Sequence, residues 1–211
     1  MKILLLILFC CGFFSANAQL TDSKNNKQLY LKANAVFLPI GILNAAVEKE
    51  LNENFTAQGE IFVSPWKSFA GKYLQMYMVG ADLRYYFTES FSKWYVGANI
   101  SGSRFIAQKW NYWGDNYFPV DENDENSPVY KASDLYQDGY SFLIGAVVGY
   151  QLKLNDRWNL DAFLGAGSNQ SFYKGYHKIT GERYDDPSRN WNRSGEWIPY
   201  RGGIMVSYKI Q

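Results

Sequence analysis

The chain has 211 residues, of which 47% are hydrophobic, 18% aromatic and 19% charged. This length corresponds to one domain and leaves no room for a multidomain enzyme. Lys and Arg number 21 against 20 Asp and Glu, which excludes a basic nucleic-acid-binding protein as the default, and the hydrophobic content excludes a disordered chain.

Residues 1–18 have the pattern of a cleavable signal peptide. Lys2 precedes an apolar run, and the segment ends in Ala16-Asn17-Ala18, the small-residue pattern that signal peptidase prefers. The apolar run is too short for a membrane-spanning helix, which needs about 20 residues. We therefore predict a signal peptide over 1–18, followed by an N-terminal tail over 19–28.

Beyond this segment, apolar residues alternate with small or polar ones, which is typical of β-strands rather than helices. In 140–154, for example, every even position is apolar. No stretch is long and apolar enough for a membrane-spanning helix. The eight predicted strands lie near 29–38, 41–51, 55–64, 73–87, 94–108, 139–154, 158–172 and 199–210.

The predicted connections alternate in length. Those after the second, fourth and sixth strands are short, whereas those after the third, fifth and seventh become progressively longer. Tight periplasmic turns and long outer loops are typical of a membrane barrel. We therefore predict an all-β fold, an eight-stranded antiparallel up-and-down transmembrane barrel over 29–211, with extracellular loops near 109–138 and 173–198.

Alternation alone would also fit a water-soluble barrel whose apolar face surrounds a ligand. The composition of the non-apolar face of the strands favours a membrane barrel over a water-soluble one. This face is rich in Gly and Ser, which fit the narrow interior of an eight-stranded barrel. Aromatic residues of the apolar face collect near strand ends, as headgroup girdles do. The predicted girdle residues are Tyr73, Tyr85, Phe87, Trp94, Tyr140, Trp158, Tyr200 and Tyr208.

The same assignment directs charged side chains of both signs into the barrel. Burying such charges is costly unless they are paired, and the lumen of an eight-stranded barrel is filled by side chains. We therefore expect a sealed, cross-linked lumen of structural role, with an ion path as the alternative. The predicted network comprises Lys32, Glu48, Glu60, Asp82, Arg84, Asp161 and Arg201.

Three segments carry a family resemblance: Leu31-Lys32-Ala33-Asn34, Asn44-Ala45-Ala46-Val47-Glu48 and Gly80-Ala81-Asp82-Leu83-Arg84-Tyr85-Tyr86-Phe87. They resemble the exported outer-membrane barrels grouped as the domain of unknown function numbered 3575, common in Bacteroidota. The resemblance implies an eight-stranded outer-membrane barrel. It implies no established activity and supplies no functional residue.

His177, the only histidine, lies in the last predicted loop. Barrel enzymes that hydrolyse or transfer lipid acyl chains use a His beside a Ser, since the imidazole takes the hydroxyl proton. Ser171 would reach His177 only if the loop folded back, so a lipid-acyl hydrolase or transferase is the alternative function, and a solvated histidine is the simpler interpretation. We predict no catalytic residue, no metal and no other cofactor.

The predicted outer loops combine an acidic run with many aromatic residues. The run 121–126 offers oxygen ligands for calcium but lacks the EF-hand Gly and Glu, so a solvated loop is the alternative. Aromatic residues among polar ones suit a glycan or protein partner, or pack together as a cap. The candidate contact residues are Trp110, Trp113, Tyr117, Trp191 and Trp197.

Taken together, the sequence predicts a structural or binding protein of the outer membrane. Its expected partners are membrane lipid and lipopolysaccharide, with a protein or glycan at the outer loops. Nucleic acid is not expected, because the charges balance.

Overall fold

The computed structural model describes residues 27–109, 113–119, 125–127, 129–185 and 188–211. The predicted signal peptide and most of the predicted tail lie outside these ranges. No helix in the described part of the chain is long and apolar enough to cross a membrane. Within the described residues, two single-turn 3-10 helices, Leu38–Ile40 and Ala132–Asp134, accompany the strands. The strands are β1 (Leu29–Asn34), β2 (Leu43–Glu50), β3 (Phe55–Phe69), β4 (Lys72–Tyr86), β5 (Lys93–Ala107), β6 (Tyr117–Pro119), β7 (Val129–Lys131), β8 (Leu135–Lys153), β9 (Trp158–His177) and β10 (Asn192–Lys209).

Eight of these strands form one closed antiparallel sheet, in the order β1, β2, β3, β4, β5, β8, β9, β10. Each strand pairs with the one before it along the chain, and β10 pairs with β1 to close the ring. The eight predicted strands are thus confirmed. The short β6–β7 hairpin, within the connection from β5 to β8, was not predicted, because three-residue strands show no readable alternation.

Several strands are longer than predicted. β9 continues to His177 and β10 begins at Asn192, so the last long connection is shorter than 173–198. The long connection predicted after the third strand was wrong: the two-residue turn Ala70–Gly71, with φ of 48° and 79°, joins β3 directly to β4. Positive φ at both central residues is the geometry that suits a tight hairpin.

Two prolines explain part of this difference. The third strand was predicted to end just before Pro65 and the eighth to begin at Pro199, yet each proline lies inside a strand. At Pro65, β3 has passed the end of β2 and pairs with β4 alone. At Pro199, β10 lies beyond its last pair with β1 and is bonded to β9 alone. A proline is tolerated at such a free edge, because its missing N–H interrupts no ladder there.

A β-bulge beside Pro199 changes which side chains of β10 point inward. Pro199 pairs with Ala166 and Arg201 with the adjacent Gly165, so Tyr200 is the extra residue. The Tyr200 hydroxyl therefore turns inward and donates to Asn99 Oδ1 at 2.6 Å. The prediction of Tyr200 as a girdle residue was wrong, because it assumed unbroken alternation.

The two faces of the wall differ sharply in polarity. On the outward face, the side chains of Val79 and Ile144 are each 64% exposed, whereas charged side chains on the inward face are buried. One end of the ring carries the connections 51–54, 87–92 and 154–157, and we call it the end with the short turns. At this end, outward aromatic side chains pack in pairs. The ring centroids are 5.1 Å apart for Phe55 and Tyr85, 5.2 Å for Trp94 and Tyr150, and 4.8 Å for Trp158 and Tyr208.

Candidate functional site

A network of buried charges occupies the interior of the ring, near the end with the short turns. Lys32 on β1 pairs with Glu48 on β2 and, at 2.7 Å, with Asp161 on β9. Arg84 on β4 donates to the same two carboxylates, at 3.2 Å to Glu48 and 2.9 Å to Asp161. All four side chains are fully inaccessible, so the two cations share two carboxylates without solvent.

A second group of charges continues this network toward the other end of the ring. Arg84 donates to Asp82 at 2.9 Å, and Arg201 on β10 donates to the other Asp82 oxygen at 2.5 Å. Arg201 also pairs with Glu60 on β3. The structure therefore brings all seven predicted lumen residues together and links six strands by ion pairs.

Two tyrosines that were not predicted as lumen residues complete the network. The Tyr95 hydroxyl donates to Asp161 at 2.8 Å, and its ring lies 4.7 Å from the Arg84 guanidinium. The Tyr86 hydroxyl lies 2.9 Å from Glu48 and 2.6 Å from Gln151. Both tyrosines lie at inward positions of the alternation, which was the signal available in the sequence. They bring β5 and β8 into the network.

Glycines on the inward face provide the space for these large side chains. A Cβ at Gly149 would stand 2.5 Å from Cζ of Tyr95, and a Cβ at Gly165 would stand 2.7 Å from Cγ of Arg201. These distances are shorter than any normal contact, so a larger residue would displace the network. The glycine-rich inward face is therefore the complement of the charged side chains opposite.

Replacing Gly149 with Val should lower the free energy of unfolding by about 1–3 kcal/mol, because the new side chain overlaps the Tyr95 ring. Denaturant unfolding of the purified chain, followed by circular dichroism, measures this loss. Gly59→Val is the matched control, since a Cβ at Gly59 meets no atom within 4 Å. Equal losses for both variants would contradict the proposed fit between Gly149 and Tyr95.

Above the charge network, a row of serine side chains lines the interior. Ser103, Ser141, Ser171 and Ser194 occupy one row across β5, β8, β9 and β10, and the hydroxyls of Ser103 and Ser141 are 2.7 Å apart. Lys109 Nζ donates to Ser194 Oγ at 2.7 Å. Further up, the connection after β9 folds back over the strands.

Tyr184, in that connection, places its ring in the upper interior. A Cβ at Gly175 would overlap its ring, so the ring lies directly against the inward face of β9. Gln137 Nε2 donates to the Tyr184 hydroxyl at 2.9 Å, and the Gln137 side-chain oxygen accepts from Lys109 N at 3.0 Å. Side chains therefore occupy the interior near both ends of the described part of the ring.

His177 is the last residue of β9 rather than a loop residue. Its ring lies 5.2 Å from the Tyr130 ring, and Nδ1 lies 3.3 Å from Thr180 Oγ1. Ser171 is on the same strand six residues earlier, about 20 Å away along an extended chain, and its hydroxyl accepts from Asn169 at 3.1 Å. The chain does not fold back to bring Ser171 to His177, so this pair forms no proton relay.

The aromatic contact candidates that the structure describes do not lie on one surface. Trp110 lies outside the described residues, Trp113 donates to the Gln108 carbonyl at 2.9 Å, and Tyr117 is exposed on β6. Trp191 packs against Tyr140 on the outward wall, and Trp197 lies on that wall, 83% exposed. The assignment of Trp197 to an outer loop was wrong, because β10 begins five residues earlier.

The acidic run predicted as a possible calcium site lies mostly outside the described residues, which include only Glu125 and Asn126 of it. Among the residues that are described, no group of three or more His, Cys, Asp or Glu side chains is placed to hold a metal. Asp115 is 3.2 Å from Lys131. Hydrogen bonds from Ser133 and Lys131 lower the pKa of Asp115.

These features define an all-β protein whose closed eight-stranded antiparallel sheet has a charged interior and an apolar exterior. The chain belongs to the family described as protein of unknown function (DUF3575), whose model matches residues 3–210. This match confirms the resemblance seen in the sequence. A comparison with curated proteins finds no match.

Proposed function

We propose that the chain is an outer-membrane β-barrel protein with a sealed lumen and a structural or binding role, exported by the signal peptide predicted at 1–18. The observation that carries this proposal is the polarity of the two faces. Apolar side chains cover the outside of the ring, whereas lysine, arginine and carboxylate side chains are buried inside it.

A water-soluble protein would gain stability from the opposite arrangement, since apolar side chains leave water when they are buried. Here Phe142, Ile144 and Leu164 are each more than half exposed on the wall. The proposed membrane removes these surfaces from water. The interior charges are then compensated by one another, through ion pairs such as those of Arg84 and Arg201 with Asp82.

The dimensions of the wall also support a bilayer. On β5, the outward side chains change from aromatic at Trp94 to apolar at Ile100 and then to charged at Arg104. The ten steps of about 3.3 Å from Trp94 to Arg104 extend about 33 Å along the strand. With the usual tilt of barrel strands, this length covers the roughly 25 Å apolar band of such proteins.

The filled interior supports a structural or binding role rather than an ion path. The paired side chains of Lys32, Arg84 and Arg201 cross the lumen, and moving one of them would leave a charge unpaired in a buried site. Such a rearrangement is costly. We therefore place the binding role of the protein on its outward wall and its outer connections.

Cell fractionation tests the proposal directly. The full-length chain should be recovered with the outer membrane, and its band on a gel should migrate faster when the sample has not been boiled, because a closed barrel stays compact in detergent. Recovery in the soluble periplasmic fraction, or migration that is independent of boiling, would contradict it.

A further inference from the structure

A groove lies on the outward face of the wall at Gly102. Val79, Gly102 and Phe142 occupy one row across β4, β5 and β8. The two large side chains stand out from the wall, and a Cβ at Gly102 would meet no atom within 4 Å. From this point, one depression of about 570 Å³ extends toward Ile100, and a second of about 550 Å³ extends toward Tyr140. The two depressions share the central row, so together they form one elongated apolar groove.

Cations lie above the upper end of this groove. The next outward row crosses β5, β8, β9 and β10 in register and consists of Arg104, Tyr140, Phe172 and Arg193. Arg104 lies 4.9 Å from the Tyr140 ring, and Arg193 lies 5.7 Å from the Phe172 ring. Each guanidinium therefore faces outward beside an aromatic ring, at the boundary where apolar side chains give way to charged ones.

Lys174 adds a third cation beside this row. Its Nζ lies 5.2 Å from the Trp191 ring, and Trp191 packs against Tyr140 at 5.9 Å. Arg104 has a carboxylate partner in Asp138. Within the described part of the chain, Lys174 and Arg193 contact aromatic rings and no carboxylate. The boundary above the groove thus has a net positive charge.

We infer that this groove and these cations bind a phosphorylated glycolipid of the outer leaflet, with an acyl chain in the groove and phosphates at the cations. The inference rests on the proposed function, because only a membrane brings lipid to this wall. Arg104 and Arg193 are three strand spacings apart, roughly 14 Å, which is too far for one phosphate. A headgroup with two phosphates, such as that of lipid A, reaches both, and charge-assisted hydrogen bonds favour arginine as the partner of each phosphate.

A pair of glycine variants tests the groove. The purified full-length chain is titrated with lipid A in detergent, and bound lipid is counted by native mass spectrometry. Gly102→Leu should weaken lipid A binding by roughly tenfold or more, because the leucine occupies the groove. Gly59→Leu should leave binding unchanged; Gly59 also faces outward with open space, and its row, through Ala81 and Ile100, lies next to that of Gly102.

A pair of charge variants tests the headgroup site. Lys174→Gln with Arg193→Gln should weaken binding of lipid A by roughly tenfold but leave binding of dephosphorylated lipid A unchanged. Lys153→Gln with Arg157→Gln removes the same two charge types at the short-turn end and should have no effect on either lipid.

Three results would overturn the inference: equal effects of the two glycine variants, equal affinity for both lipids in the unsubstituted chain, or no bound lipid A. If the chain still shows heat-modifiable migration, such a result leaves the proposed membrane barrel in place. A chain that fractionates as a soluble protein overturns both.

Discussion

Replacing Arg84 with Met should lower the free energy of unfolding by about 3–5 kcal/mol, the usual cost of removing one partner from a buried ion pair. Arg84 is fully buried and donates to Glu48, Asp82 and Asp161. Methionine fills part of the volume but leaves three carboxylates with fewer cations. Urea unfolding of the refolded chain in lipid vesicles, followed by tryptophan fluorescence, measures the loss.

The control for this variant is Arg157→Met. Arg157 lies exposed in the turn between β8 and β9, so the same substitution there should change stability by no more than about 0.5 kcal/mol. Asp161→Asn in the Arg84→Met background should recover part of the loss, because it removes one of the unpaired carboxylates. If Arg84→Met is as mild as Arg157→Met, the network does not hold the ring together.

If the outward wall lies in a membrane, as proposed, replacing Ile144 with Arg should lower the free energy of unfolding from vesicles by about 2–4 kcal/mol, the cost of an arginine at the middle of a lipid-facing barrel wall. In a water-soluble protein the same change at a 64% exposed position would be nearly neutral. The effect of this variant therefore depends on the solvent that surrounds the wall. Reversible unfolding in vesicles, compared with the unsubstituted chain, provides the measurement.

Ile179 supplies the matched control for Ile144. It is 79% exposed but lies in the turn that follows β9, outside the apolar band. Ile179→Arg should change stability by less than about 0.5 kcal/mol. A loss of the same small size for both arginine variants would mean that the wall faces water, and the membrane proposal would then be abandoned.

Alternation along the strands was sufficient to predict the ring and its interior charges. A strand side chain points to one of two faces, so the parity of Asp82 and Arg84 placed both inside without knowledge of their partners. The same parity would have found Tyr86 and Tyr95, but only charged side chains were assigned to the interior network. Their role depends on the hydrogen bonds of their hydroxyls to Asp161 and Glu48, and these contacts are visible only in the folded structure.

Alternation failed where the backbone departs from a regular strand. The bulge at Tyr200 reverses the faces of β10 above it, so Trp197 is on the wall and Glu196 lies beside Lys109. A bulge has no clear signature in a single sequence. The strand ends predicted beside Pro65 and at Pro199 were wrong, and only the short β1–β2 hairpin explains why a proline is tolerated inside a strand at each place.

The groove at Gly102 could not be predicted from the sequence, because it depends on register. Val79, Gly102 and Phe142 become neighbours through the pairing of three strands. Arg104 and Arg193 are 89 positions apart in the chain, and the same pairing puts them in one row. Periodicity predicts which face of the sheet each side chain occupies, but it does not predict which residues of neighbouring strands lie beside it.

Spin labels on single introduced cysteines measure most directly whether the outward wall contacts lipid or water. The native cysteines, Cys10 and Cys11, fall within the predicted signal peptide, so they do not interfere with labelling of the mature chain. Labels at Ile144 and Val206 of the chain in lipid vesicles should be relaxed by oxygen and protected from a water-soluble nickel complex. A label at Asp156, in the exposed turn before β9, should show the reverse. Labels at Ile144 and Val206 that respond to the nickel complex as strongly as the one at Asp156 would show that the apolar face is in water.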